Sequence, residues 1–572
     1  MSLNNLLSWI YQRLMLVPIV AYEIKRCRKV QEWLTPQEEA MIQQNTIRFL
    51  LKKMLITLGI LIIGTFLFER SLSSFLIVSG SCLLINGHFT WRTIRKGYRV
   101  LLEQFEKYLS DVRHHYQKSE MVEEAVYEAI WSCEFQIGLH IQVLYQVLVS
   151  EDVEDLEEYK HNIPFPYLLT FFILCKSVMT YGDTIFESKS LFLSNINQLK
   201  DEVHNEILKR DRLSHVFSGL FLVALVPVFF LDYIKGWSIL NLPELIRYYD
   251  TSYGIIMKSI ICVISVFVFQ LLHYLIEPIP LLPCKHIWLD RLNDTTPMKK
   301  IHMLWIHAKK DKCKEYQRLL KRIKSDYTLL HFLQLKMLFS VSAFLLVTLV
   351  NIDIILNTNR IDQVTLPFEI GTKGYQLVEN TSYGFGQLIV TFVIATLSFQ
   401  FPNLLLRIKA SLLKRTMEDE VIQYQAVLIM LVHIRRMTIE VLLEWLEKTS
   451  RIFREPIMDC INQYSHDNEY ALEQLKWKES FLPFIRIIEN LEVCDRIGIE
   501  KAFDELVSER NFFIEKRKQD NEIYITNQGV IGKIAAFTPF VLTIAGYLII
   551  PFVLESMAQF MCYVRDLQGF TY

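Results

Sequence analysis

The chain has 572 residues, of which 51% are hydrophobic and 22% are charged, and its formal net charge at pH 7 is −1. This near-neutral balance argues against a nucleic-acid partner, because nucleic-acid binders concentrate positive charge on one face. High hydrophobicity combined with abundant charge predicts membrane spans that alternate with solvated domains, and the length allows more than one such domain.

The first 53 residues are predicted to form a cytoplasmic or interfacial segment. Residues 6–24 are largely apolar, but Arg13 and Glu23 interrupt them, and no small-residue cleavage site follows. These features favour an amphipathic helix at the membrane interface over a signal peptide.

Two uncharged stretches follow within residues 54–91, separated by Glu69 and Arg70. Together they predict a membrane hairpin. The first stretch, residues 54–68, is shorter than the roughly 20 residues that a bilayer core requires. A re-entrant segment therefore remains an alternative to two crossings.

The rest of the chain alternates between apolar spans and two charged blocks of similar length. Apolar residues in the first block, such as Leu101, Phe105, Leu109 and Val112, recur at helical spacing, which predicts amphipathic helices. The predicted segments are helical domain 1 (92–215), a transmembrane pair (216–276), a basic cytoplasmic linker (277–334), a second transmembrane pair (335–406), helical domain 2 (407–533), a last transmembrane helix (534–554) and an external tail (555–572).

The distribution of Lys and Arg predicts the orientation of these segments. Both charged blocks, the N-terminal segment and the linker are rich in Lys and Arg, whereas the predicted outer loops and the tail are poor in them. Seven spans with a cytoplasmic N-terminus satisfy the positive-inside rule at every crossing. The same order of span, span and charged block occurs twice, which predicts an internal repeat and an all-α, polytopic membrane protein with two cytoplasmic helical-bundle domains.

Three pairs of segments in the blocks resemble a known family, namely residues 101–112 with 121–130, 418–431 with 439–446, and 491–506 with 508–511. They are similar to the opening and closing helices of the type II secretion F domain. That domain belongs to inner-membrane platform proteins of type II secretion and type IV pilus machines, and the nearest branch is the tight-adherence (Tad, or Flp) proteins TadB and TadC. The chain looks like two such units fused in one polypeptide.

The resemblance implies a function. It implies a bacterial plasma-membrane scaffold that couples a cytoplasmic secretion or pilus ATPase to pilin subunits, in contact with membrane lipid and open to self-association. Residues 201–216 and 516–534 are the expected connectors, each a rigid helix that runs unbroken from a domain into a span. The acidic surfaces around Glu123 and Glu440 are the expected ATPase-docking sites, although such residues are also typical of solvated helix faces.

Motifs of enzymes and metal sites do not appear in the sequence. The sequence contains no G-x-x-x-x-G-K-[ST], H-E-x-x-H or G-x-S-x-G, so we expect no catalytic residue, cofactor or metal. The alternative function is a multi-span transporter or channel with regulatory domains. Charges within the predicted spans lie near their ends, which disfavours that alternative because coupled transporters place charges near the bilayer midplane.

The ten cysteines include no C-x-x-C pair. They are predicted to be reduced packing residues.

Overall fold

The structure, a computed structural model, is almost entirely helical where it is described. The predicted all-α class is confirmed. The two strands in the described part have two residues each, β1 Ile185–Phe186 and β2 Lys189–Ser190, and they pair antiparallel with Ile185 opposite Ser190. The described residues are 18–34, 39–67, 72–150, 159, 163–183, 185–186, 189–249, 252–276, 303, 305–307, 310–322, 328–361, 385–432, 437–479, 481–504 and 510–569.

The helices of the first half include one very long member. They are α1 Pro18–Leu34, α2 Glu39–Leu67, α3 Leu72–Ser119, α4 Val122–Ser132, α5 Phe135–Val149, α6 Pro166–Tyr181, α7 Leu191–Phe217, α8 Leu220–Asn241, α9 Ile246–Tyr249 and α10 Ser252–Leu275.

The helices of the second half follow a similar order. They are α11 Lys310–Arg322, α12 Leu329–Ile361, α13 Phe385–Val432, α14 Ile439–Thr449, α15 Arg454–Tyr464, α16 Asn468–Lys478, α17 Leu482–Ile497, α18 Ile499–Ala502, α19 Arg510–Leu542 and α20 Ile550–Gly569, with a π-helical turn, Thr543–Ile549, between the last two.

Several helices in the two halves match in length. Both α3 and α13 have 48 residues, both α4 and α14 have 11, and both α6 and α17 have 16. Each of α6 and α17 has a proline in its first turn and ends at a glycine with positive φ, 84° at Gly182 and 86° at Gly498. Glycine suits both ends because a side chain there would strain the left-handed backbone.

The correspondence extends to single residues with a constant spacing. Several buried residues of α3 have buried counterparts 316 residues later on α13, namely Leu101, Gln104, Phe105, Tyr108 and Val112, and four of the five buried residues of α17 match buried residues of α6 at the same spacing. The related pairs include Arg99 and Arg415, Gln104 and Glu420, Tyr108 and Tyr424, Phe165 and Phe481, and Gly182 and Gly498.

One hydrophobic cluster contains residues of both charged blocks. Phe105, Tyr108 and Phe171 of the first block belong to it, and so do Tyr424 and Phe484 of the second. Helix α6 contacts α13 and α14, so the first block packs directly against the second. The two blocks therefore bury their apolar faces against each other as well as internally.

Five helical stretches are long and apolar enough to cross a membrane, by length and composition. Each of them overlaps one of the third to seventh predicted spans. The predicted hairpin, residues 54–91, lies on α2 and the first half of α3, which are not among these five, and residues 68–71 lie outside the described part. The five stretches are Leu191–Asn241, Ile256–Leu275, Leu329–Leu349, Thr391–Ile429 and Glu515–Arg565.

Candidate functional site

The two expected connectors lie on α7 and α19, and only one of them runs unbroken into a span. Helix α19 continues from the charged block into its apolar half, but α7 ends at Phe217. Ser218 and Gly219 form a turn before α8 begins at Leu220, which corrects the prediction that residues 201–216 lead into a span without a break. Both turn residues keep right-handed backbone angles, so the interruption is a local one.

Helices α7 and α19 pack side by side at the end of the charged blocks. A Cβ on Gly532 of α19 would lie 2.7 Å from Cε1 of Phe217, and one on Gly529 would lie 3.0 Å from Cγ1 of Val216. Small residues at both positions let the two backbones approach closely. Leu213 and Ile525 belong to the same hydrophobic cluster as Phe217. We call this contact the connector junction.

A cluster of ionised side chains joins the connectors to the second long helix. Arg517 of α19 donates to Asp419 Oδ1 of α13 at 3.0 Å. Glu206 of α7 accepts from Arg210 Nε at 2.7 Å. Burial raises the pKa of Glu206, but the nearby cations Lys209, Arg210 and Arg517 outweigh it and hold this pKa at about 2. The carboxylate is therefore charged and stabilised at neutral pH.

Arg99 and Arg415, 316 residues apart, connect each long helix to its neighbouring connector. Arg99 of α3 pairs with Asp211 of α7, with 2.6 Å between Nε and Oδ1. Arg415 of α13 donates to the amide oxygen of Asn521 and lies over the ring of Tyr524, 3.7 Å from its centroid. Each connector is thus attached to the long helix of its own half.

A direct ion pair also crosses between the connectors. Arg212 Nη1 lies 2.7 Å from Glu522 Oε1. Both side chains are more than half exposed, so the pair contributes little to the free energy of folding. Its main effect is on the orientation of α7 relative to α19.

Two buried polar side chains hold the turns that precede α5 and α15. Gln104 accepts from the backbone N–H of Ile137 at 3.2 Å and donates to Glu134 at 2.8 Å. Glu420 accepts from three consecutive backbone N–H groups, those of Arg451, Ile452 and Phe453, and from the Tyr424 hydroxyl. Neither Gln104 nor Glu420 is among the residues predicted from the sequence. Their only signal is a polar residue within an apolar helical stripe.

Glu123 and Glu440 both occupy the second position of an 11-residue helix, α4 and α14, and both are exposed. A carboxylate in the first turn interacts favourably with the helix dipole, so each has a structural reason to be there. Burial, and then the Glu123 carboxylate, raises the pKa of Tyr145. The sequence prediction for these two residues as docking sites stays a prediction.

Glu440 also lines a surface cavity of about 740 Å³. Asp495 and Glu500 line the same cavity, together with Lys501, so three carboxylates face one ammonium among the described lining residues. Burial, followed by Asp495 and other neighbours that include Glu440, raises the pKa of Tyr464 to about 12. The cavity presents a negative surface suited to a basic partner segment.

One charged pair lies among the apolar helices. Lys258 Nζ on α10 is 2.7 Å from Asp232 Oδ1 on α8, and the lysine side chain is only 8% exposed. A buried charge is tolerated when it is paired in this way. Among the described residues, no group of three or more His, Cys, Asp or Glu side chains could hold a metal ion.

Comparison with known proteins gives no match to a family model, a curated protein or a solved structure.

Proposed function

We propose that the protein is an inner-membrane platform of a type IV or Tad-like pilus assembly or type II-like secretion machine. It lies in the bacterial plasma membrane with its N-terminus in the cytoplasm, and it couples a cytoplasmic ATPase to the extraction of pilin subunits. The observation that carries this proposal is the connector junction, because it joins both charged blocks to apolar helices at one place.

The two halves are best explained as two copies of one unit. The matched helix lengths support this, as does the 316-residue spacing of Gln104 and Glu420 and of Gly182 and Gly498. Such a duplication gives each half a hairpin, a helical domain and a connector, as the resemblance to the platform family implies. The shared hydrophobic cluster then corresponds to the contact between the two copies.

In the proposed mechanism, the charged blocks move as one body when the ATPase changes shape. The pairs Arg99–Asp211 and Arg517–Asp419 transmit that displacement from the long helices to α7 and α19. The apolar ends of these helices then shift against the neighbouring spans, where the pilin subunits bind. Rigid helices suit this role because a packed helix moves as a unit rather than deforming continuously.

Docking of the ATPase is proposed at the two acidic sites. Glu440 and its neighbours in the surface cavity form one site, and the exposed face around Glu123 forms the other. Basic residues on the ATPase would be the complementary surface, and opposite charges would speed the encounter.

The test is gentle detergent extraction of the tagged protein from its native host, followed by mass spectrometry of the co-purified proteins. We expect a secretion-type hexameric ATPase and small single-span pilin-like proteins. Glu123→Lys and Glu440→Lys should reduce recovery of the ATPase, whereas Glu469→Lys, at an exposed position on α16, should not. If neither partner is recovered, or if only a soluble substrate-binding protein is, the platform proposal is wrong.

A transporter or channel is the second candidate, and the Lys258–Asp232 pair is the observation in its favour. Paired charges among membrane helices often mark ion pathways. Purified protein in vesicles would then show a solute or ion flux, and Asp232→Asn would abolish that flux while leaving the protein folded. Flux that is absent from the wild-type protein would remove this candidate.

A further inference from the structure

A second cavity lies where three helices pass from apolar to charged sequence. Its volume is about 370 Å³, and α3, α7 and the start of α8 form most of its wall. Phe217 and Phe221 contribute an apolar surface on one side, with Ile276 just after the end of α10. This position is the boundary between the membrane and the cytoplasm if the apolar helices cross a bilayer.

The described lining of this cavity carries five cations and one carboxylate. Asp211 is the carboxylate, and it is paired with Arg99 at 2.6 Å. Arg210 is paired with Glu206 at 2.7 Å. The cations are Arg92, Arg95, Lys96, Arg99 and Arg210.

Three of these cations, Arg92, Arg95 and Lys96, make no ion pair among the described residues. Arg95 is half-buried, and burial together with the neighbouring charges of Arg92 and Arg210 lowers its pKa to about 10. The guanidinium therefore stays protonated at neutral pH although no acid compensates it. Arg95 is thus a partly buried cation next to two exposed ones, and such a charge is unfavourable unless an anion neutralises it.

The combination of charge and apolar surface defines the ligand chemistry. The planar guanidinium group of arginine matches the spacing of two phosphate oxygens and can bind them through two parallel hydrogen bonds. Phe217 and Phe221 are almost fully buried and form the apolar wall behind that charge, so a phosphate that carries apolar glycerol and acyl carbons suits this cavity better than a free phosphate does. Basic pockets between membrane helices on the cytoplasmic side are typical of lipid headgroup sites.

We propose that the cavity lined by Arg92, Arg95 and Lys96 binds a phosphate group, and that its source is the headgroup of an anionic phospholipid of the cytoplasmic leaflet. A bound headgroup would neutralise the cations on α3 next to the Arg99–Asp211 pair, and so would stabilise the attachment of α3 to α7. This proposal is independent of pilus assembly, but its lipid source requires that the apolar helices lie in a membrane.

The test measures binding of short-chain lipids to the delipidated full-length protein in detergent. The probes are dioctanoyl phosphatidylglycerol, dioctanoyl phosphatidylcholine and inorganic phosphate. We expect the wild-type protein to bind the anionic lipid about tenfold or more tightly than the other two, because only it combines a net negative headgroup with acyl chains.

Two variants and a control assign the binding to the cavity. Arg95→Gln should weaken binding of the anionic lipid about tenfold, the effect of losing a charge-assisted contact. The double variant Arg92→Gln/Lys96→Gln, at two exposed positions, should do the same without removing a half-buried side chain. Arg113→Gln is the control, since Arg113 is exposed on α3 18 residues beyond Arg95, about 27 Å along the helix.

Equal binding by the control and both cavity variants would overturn the proposal. Binding of inorganic phosphate as tight as that of the anionic lipid would overturn the lipid source. Equal binding of the zwitterionic lipid would show that the net charge of the headgroup is not recognised, and it would also overturn the proposal.

Discussion

At the scale of single residues, two buried polar side chains, Gln104 and Glu420, stabilise turns through hydrogen bonds to the backbone. Glu420 is 6% exposed, yet it accepts hydrogen bonds from three successive backbone N–H groups and one hydroxyl. Its burial is tolerated because both carboxylate oxygens accept hydrogen bonds. Gln104 is the corresponding residue in the first half, where it accepts a hydrogen bond from one backbone N–H group and donates one to Glu134.

Glu420→Ala should lower the free energy of unfolding by about 3 to 5 kcal/mol, because one buried and two part-buried backbone N–H groups lose their acceptor together. The measurement is the thermal midpoint of the full-length protein in detergent. Glu418→Ala is the control. Glu418 is exposed and lies two residues before Glu420 on α13, so its removal should change the midpoint little. Similar midpoints for the two variants would show that the Glu420 bonds are unimportant.

The lowered pKa of Glu206 makes the free energy of unfolding depend on pH. Its pKa falls from 4.5 to about 2 on folding, so its contribution is complete above about pH 4.5 and is lost as pH falls towards 2. Glu206→Gln should therefore be less stable than the wild type at pH 7, and the difference should narrow between pH 5 and pH 3. Thermal midpoints of both proteins across this range provide the measurement. If the difference in thermal midpoint between the two proteins stays the same across this range, Glu206 is not the group whose titration changes the stability.

At the scale of elements, sequence periodicity was a good guide to helices and a poor guide to their interruptions. Leu101, Phe105, Leu109 and Val112 lie on the buried face of α3, as the spacing predicted. The break at Ser218 and Gly219 was missed, because apolar sequence on its far side made one continuous helix the simpler interpretation. Gly219 was the available signal, since glycine favours interruptions of helices.

Gly532→Leu should separate the connectors. The new side chain would begin 2.7 Å from Phe217, on two packed helices with no space to receive it. Overpacking of this kind costs about 1 to 3 kcal/mol, so we expect a lower thermal midpoint and, under the proposed function, weaker recovery of the proposed ATPase partner. Gly236→Leu on α8 is the matched control, because nothing lies within 4 Å of a Cβ at that exposed position. An equal loss for both variants would mean that the connector contact has no special importance.

At the scale of the whole molecule, the sequence could predict the order of the segments but not which of them touch. Repeated layout and helical spacing are local properties of the chain. The packing of α6 on α13 and α14 joins helices that are more than 200 residues apart in the sequence, and nothing in either local pattern specifies it. The connector junction depends on the same kind of distant contact, through Phe217 and Gly532.

This shared packing constrains the topology. If the apolar helices cross a membrane, two blocks that share one hydrophobic cluster lie on the same side of it, and the helices between them cross an even number of times. One further apolar stretch follows the second block, and the end of α20 must then lie on the opposite side. Cys562 provides a native reporter, because it is the one exposed thiol among the nine described cysteines.

The most direct test of the central claim, that both blocks form one cytoplasmic body attached to membrane spans, is labelling of intact cells with a membrane-impermeant maleimide. The wild-type protein should be labelled without permeabilisation, and Cys562→Ser should lose that label. Labelling of Cys562 that appears only after the membrane is opened would place the tail on the same side as the blocks, and it would contradict both the topology and the proposed coupling through the connector junction.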